Sequence, residues 1–116
     1  MQLKLAGKRV AVTGGAGFIG SHLVDRLIRE DVSSLAVIDN FFLGDLANLD
    51  EAVGAFPDLE IIRADASDFS SMHRLAVERK FDVVFNLAVI PLPASLTLPM
   101  WTVKTNYDIA MAMCEV

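Results

Sequence analysis

The nine residues Val12-Thr13-Gly14-Gly15-Ala16-Gly17-Phe18-Ile19-Gly20 decide how the rest of the chain is read. They close a short β-rich run, Arg9-Val10-Ala11-Val12, and open a stretch whose apolar residues recur at helical spacing. A tight glycine turn between a buried strand and a helix is the context in which such a pattern has chemical meaning. Two spacings overlap in it. Gly15-x-Gly17-x-x-Gly20 is the general dinucleotide fingerprint, and Gly14-x-x-Gly17-x-x-Gly20 is a variant with one more residue in the turn. In both, Gly17 lets the backbone approach a pyrophosphate and Gly20 lets the helix pack close on the strand. The helix N terminus then offers free N–H groups and a positive dipole end to the anion. A mononucleotide phosphate loop needs Lys and then Ser or Thr after its last glycine. Ser21 and His22 stand there instead, which excludes that loop.

Outward from the turn, Ile19, Leu23 and Leu27 stand four apart, as do Val24 and Ile28, while Asp25, Arg29 and Glu30 look away. This stripe predicts an amphipathic helix over residues 17–30. Residues 34–39, SLAVID, form a second apolar strand that ends in a carboxylate. Asp39 follows Gly20 by 39 − 20 = 19 residues, where an acid accepts hydrogen bonds from the adenosine ribose hydroxyls. Asn40 comes next and no Arg or Lys appears before Arg63, so nothing nearby in sequence neutralises a 2′-phosphate and NAD is favoured over NADP. A flavin dinucleotide or S-adenosylmethionine uses the same ribose carboxylate, and composition leaves both open.

Beyond Asp39 the pattern loosens, with a short helix expected around residues 46–53 between Gly44 and Gly54. Strand character returns over 59–63. Asp68 caps a helix over 69–79 with Phe69, Met72 and Ala76 on one face, and DVVFNL, residues 82–87, is a fourth strand. A proline-rich connection through Pro91, Pro93 and Pro99 leads to a last helix over 99–116 that is apolar on most faces. Strands and helices alternate, and the strands are near-continuously apolar. This predicts an α/β fold, a doubly wound parallel Rossmann sheet showing its first four strands in the order 3-2-1-4. The 116 residues fit one such segment and no separate substrate domain.

Hydrophobic residues make up 53% of the chain and charged residues 22%, too apolar for disorder. Charge interrupts every apolar run before it reaches the roughly 18 residues of a membrane span, so no membrane partner is expected. The net charge of −5, without a Lys/Arg cluster, argues against nucleic acid. One cysteine, Cys114, and no secretory pattern at the start favour a reducing cytoplasm.

With these residues in place, the chain resembles the first part of the extended short-chain dehydrogenase/reductases, the NAD-dependent epimerase/dehydratase group. Residues 12–20 match its TGGxGFIG, a far more specific signal than three spaced glycines. Asp39-Asn40, then Gly44 and Asn48-Leu49, resemble its ribose-binding acid, loop and Asn-Leu pair. The resemblance implies that Asp65 contacts the adenine amino group with Ala66 lining that pocket. It also implies that Leu87-Ala88 of Asn86-Leu87-Ala88-Val89 runs past the cofactor. Val89 stands where the group has a second alanine. Ser95, Pro99 and Asn106 match a Ser-x-x-x-Pro leading into a helix whose Asn lies toward the nicotinamide. The cofactor-binding set is therefore Gly14, Gly17, Phe18, Ile19, Gly20, Asp39, Asn40, Asp65, Ala66, Leu87, Ala88 and Asn106.

The group's proton-transfer pair is Tyr-x-x-x-Lys. Tyr107, the one tyrosine, is followed four places on by Met111, so no catalytic residue is expected in these 116. The resemblance implies the NAD-binding part of an oxidoreductase acting on a nucleotide sugar, with the last helix in a dimer interface. Two rival readings stand beside it: a non-catalytic dinucleotide-binding or sensing module, and a fragment completed by a partner chain. His22 and His73 are expected to face solvent rather than a metal, Cys114 to be a small core residue, and Met100, Trp101, Met111 and Met113 to serve packing.

Overall fold

The computed structural model describes residues 4–115. Four strands, β1 (Arg9–Thr13), β2 (Ser34–Asp39), β3 (Glu60–Arg63) and β4 (Val83–Asn86), form one parallel sheet in the order β3-β2-β1-β4, as expected. Val10 pairs with Leu35 and Val83, and Val12 with Val37 and Phe85, so the apolar runs lie side by side.

Alternate residues of these strands feed two separate cores, because successive side chains leave opposite faces of a sheet. On one face Val10, Val12, Leu35 and Val37 pack with Val24 and Leu27 of α1 (Phe18–Leu27) and with Leu49 and Ala52. Ala52 belongs to α2 (Asp50–Ala55), which follows a 3₁₀ turn over Leu46–Leu49. On the other face Ala11, Ala36 and Ile38 pack with Met72 and Leu75 of α3 (Phe69–Arg79). Ile109 and Ala112 of the last helix complete that layer. Small side chains in the strands on this side let α3 and the last helix sit close.

Local signals set the ends. Asp68 caps α3, its carboxylate accepting from the Ser70 N–H at 3.2 Å, and Lys80 closes the helix in the left-handed region at φ 53°. Asp82 enters β4 by accepting the Arg9 N–H at 2.8 Å, which ties the starts of β1 and β4 together.

The structure departs from the sequence reading at several points, among them Met100 and Met111, which were expected to pack and are 86% and 49% exposed. The helix expected over 17–30 is α-helical only to Leu27; a 3₁₀ turn, Ile28–Glu30, then closes on Asp31 at φ 56°. Within the proline-rich connection a short helix, α4 (Leu92–Ser95), forms because Pro93 at its first turn lacks only an N–H that would be unpaired there anyway. The last helix, α5, runs Pro99–Glu115, and Cys114 on it is exposed rather than core. Ile19 and Phe69 are exposed too, although their spacing joined them to buried stripes. Among the described residues no helix is long and apolar enough to cross a membrane, and no His, Cys, Asp or Glu cluster could hold a metal.

Candidate functional site

In a parallel sheet of this order, β1 and β4 diverge into crossovers on opposite sides, which opens a crevice at their carboxyl ends. A cleft of about 500 Å³ lies there. Its floor is the glycine turn and the first turn of α1, with Gly14, Gly17, Phe18, Ile19 and Gly20. One wall comes from Ile38, Asp39, Asn40, Phe42, Leu43 and Gly44 after β2, and from Ala64, Asp65 and Ala66 after β3. The opposite wall is Leu87 to Pro91 after β4, backed by Thr105 and Ile109 of α5.

The turn is shaped by contacts that only glycine satisfies. Gly14 has φ 70°, and a Cβ on it would lie 2.8 Å from the Ala88 nitrogen and the Leu87 carbonyl. A Cβ on Gly20 would collide with the Gly14 oxygen. Gly17 differs, since a Cβ there meets only the Gly14 oxygen at 3.4 Å, an ordinary contact. The protein's own packing does not demand glycine at 17. What the missing side chain leaves is open cleft directly before α1, whose N terminus has no side-chain cap and no acid in its first turn.

Side chains then grip the turn from outside. Asp39, 8% exposed, accepts the Ala16 N–H at 3.0 Å through Oδ2 and the Phe41 N–H at 2.7 Å through Oδ1. Asn48 Nδ2 donates to the Ala16 carbonyl at 2.8 Å, as does the Asp45 N–H at 3.1 Å. The Ala16 peptide is thus held on both sides. Each Asp39 oxygen retains a second acceptor position. Thr13 performs the same service at the far wall, donating to Asn86 Oδ1 at 2.6 Å and accepting from the Ala88 N–H at 3.2 Å.

Asp65 lies two residues past the end of β3, in a turn where its Oδ1 accepts from the Ser67 N–H and hydroxyl at 2.9 and 2.7 Å. Its Oδ2 makes no hydrogen bond among the described residues and so can still accept. Phe18 and Ile19 are 79% and 72% exposed, leaving apolar surface on the floor of the cleft.

Eleven of the twelve residues expected to bind cofactor therefore line one cleft. Asn106 does not. Its amide is engaged with the Ile90 backbone, accepting the Ile90 N–H at 2.7 Å and donating to the Ile90 carbonyl at 3.1 Å. It positions the wall rather than lining the cleft. Phe42, Leu43, Gly44, Val89, Ile90 and Pro91 line the cleft without having been assigned to it from sequence, because loop walls carry no periodic signal. A Cβ on Gly44 would press within 2.9 Å of Asp39 Oδ2.

The structure also corrects the reading that no base lies near Asp39. Arg63 is its register partner on β3. The guanidinium rests 4.9 Å from the centre of the Phe41 ring.

A four-stranded parallel sheet with helices on both faces and a glycine turn at its switch point defines a Rossmann-type α/β protein. The chain matches the model of the NAD dependent epimerase/dehydratase family over residues 10–116, and it belongs to that family. UDP-glucuronic acid decarboxylase 6 of Arabidopsis thaliana is 41% identical over 99 residues, which cover 84% of this chain and 26% of that protein. Among solved structures, UDP-glucose 4-epimerase from Thermotoga maritima, with UDP-glucose, superimposes with a TM-score of 0.80 at 31% identity. The match covers 92% of this chain and 33% of that one. WbmF from Bordetella bronchiseptica, in complex with NAD+ and UDP, gives 0.81 at 30% identity, over 97% of this chain and 32% of its own. The chain thus spans about a quarter to a third of the length of these relatives.

Proposed function

We propose that this chain binds NAD in the cleft at the switch point, as the cofactor-holding part of an oxidoreductase that acts on a nucleotide sugar in the manner of the epimerases and dehydratases. The carrying observation is convergence. The open space at Gly17, the uncapped N terminus of α1 and the carboxylates of Asp39 and Asp65 meet on one cleft. In this reading the pyrophosphate sits before α1, Asp39 accepts from the ribose hydroxyls, Asp65 Oδ2 accepts from the adenine amino group, and Asn40, Ala66, Leu87 and Ala88 line the seat. Bound NAD would supply a hydride acceptor for a sugar carbon. The chain's own residues hold and orient it, and the apolar walls exclude water.

A second reading has support in Tyr107. It is the only tyrosine, it is 64% exposed on α5 outside the cleft lining, and no lysine follows it at the fourth position. The 116 residues then bind NAD without turning a sugar over.

Titration calorimetry with NAD+ and NADP+ tests the proposal. Saturable NAD+ binding is expected, tighter than that of NADP+, because a 2′-phosphate close to the Asp39 carboxylate is repelled. Asp39→Ala should weaken NAD+ binding by about 1.5 to 3 kcal/mol, the worth of a charge-assisted hydrogen bond. No binding of NAD+ by the folded chain would overturn the assignment. Reduction of bound NAD+ by nucleotide sugars, abolished by Tyr107→Phe, would overturn the second reading.

A further inference from the structure

The geometry points to Arg63 as a residue that sets how far the site discriminates against a 2′-phosphorylated cofactor, an inference that rests on the dinucleotide reading above. Residues paired in register on neighbouring strands point to the same face of a sheet, with their Cα atoms about 4.8 Å apart. Asp39 and Arg63 are such a pair, each the last residue of its strand. The guanidinium is therefore delivered to the same face and end of the sheet as the carboxylate expected to hold the adenosine ribose. Ala64 and Asp65, the next two residues, already line the cleft.

The guanidinium is held without being consumed. It lies 4.9 Å from the Phe41 ring centre and makes no hydrogen bond or ion pair among the described residues. Phe41 is itself fixed, its φ of 61° letting its N–H donate to Asp39 Oδ1 at 2.7 Å. A chain of contacts thus runs from the carboxylate through Phe41 to the arginine. An exposed arginine stacked on a ring keeps its N–H donors directed outward in a planar fork, the geometry that suits phosphate. Asp39 disfavours a 2′-phosphate, and Arg63 offsets part of that repulsion. The chain then prefers NAD+ yet accepts NADP+ more readily than the acid by itself would allow.

The test is calorimetric titration of the unmodified chain, Arg63→Gln and Arg63→Lys with NAD+, NADP+, 5′-AMP and 2′,5′-ADP. Arg63→Gln is expected to weaken NADP+ and 2′,5′-ADP by about tenfold to a hundredfold, the worth of a charge-assisted hydrogen bond. NAD+ and 5′-AMP should change by less than about twofold, and Arg63→Lys should recover part of the loss because it keeps the charge. If NAD+ and NADP+ weaken together, Arg63 only supports Phe41 and the inference is wrong. An unchanged NADP+ to NAD+ ratio, with NAD+ still bound, overturns this inference by itself. Failure of the unmodified chain to bind NAD+ overturns the dinucleotide reading and takes this one with it.

Discussion

Three glycines in one turn look alike in sequence and differ in cause. Gly14 and Gly20 are imposed by the fold, since a methyl group on either meets backbone that cannot move aside. Gly17 meets no such obstacle among the described residues, and its missing side chain leaves space before α1. Substitution should separate the two. Gly20→Ala is expected to destabilise the chain by about 2 kcal/mol or more, as overpacking against fixed atoms does. Gly17→Ala should cost under about 1 kcal/mol, mostly the weaker helix cap, while NAD+ binding falls at least tenfold. Urea unfolding and calorimetry on both variants check this, and an intact affinity in Gly17→Ala would remove Gly17 from the pyrophosphate seat. Asn106 differs from these motif residues in that its amide engages the Ile90 backbone. Its place in a family pattern was visible, but which backbone its amide would reach depends on how Ile90 is carried back over α5.

At the scale of elements, two carboxylates fix where α3 and β4 begin, and both make the chain sensitive to acid. The Ser71 hydroxyl hydrogen bond holds the Asp68 carboxyl below its ordinary range, aided by the Ser71 and Ser70 N–H groups and opposed by desolvation. The Arg9 N–H does the same for Asp82. A depressed folded value means that these contributions are fully present above the unfolded value of about 3.9 and are lost as pH falls through the folded one. The urea midpoint should therefore drop as pH is lowered from about 5 to below 3. Asp68→Asn should leave stability at pH 7 nearly unchanged, because Asn caps as well as Asp. Its acid decline should be shallower. An identical decline in the variant would show that Asp68 is not among the groups responsible. The α3 cap was legible because capping is local. The 3₁₀ end of α1 and the short α4 were not, since each is settled by the neighbouring chain rather than by an apolar stripe.

For the whole molecule, β3 and β4 are both edge strands, and β4 and one face of α5 are left apolar and uncovered in the described structure. β4 pairs only with β1, and its Val83, Val84 and Phe85 carry no charge or proline to blunt that edge. On α5, Met100, Val103 and Tyr107 are 86%, 70% and 64% exposed, a contiguous apolar surface of the kind that drives association. The chain is expected to self-associate at micromolar concentration. Light scattering behind a sizing column should give a mass above that of one chain, and Val103→Lys should shift it down. A monomer with well-protected β4 amides would refute the expectation.

The alternation of strands and helices, the glycine turn, the terminal acid of β2 and the cap of α3 follow from the order of residues. All of these rest on contacts among residues close in the chain, or on a periodicity that any buried face enforces. That eleven of the twelve residues expected to hold the cofactor line one cleft has the same cause, since they lie on motifs whose spacing is their geometry. The loop walls of the cleft, the inward use of Asn106, the exposure of Cys114 and the arrival of Arg63 beside Asp39 emerge only in the folded chain. Those depend on strand register and helix docking, which bring together residues that no local spacing relates.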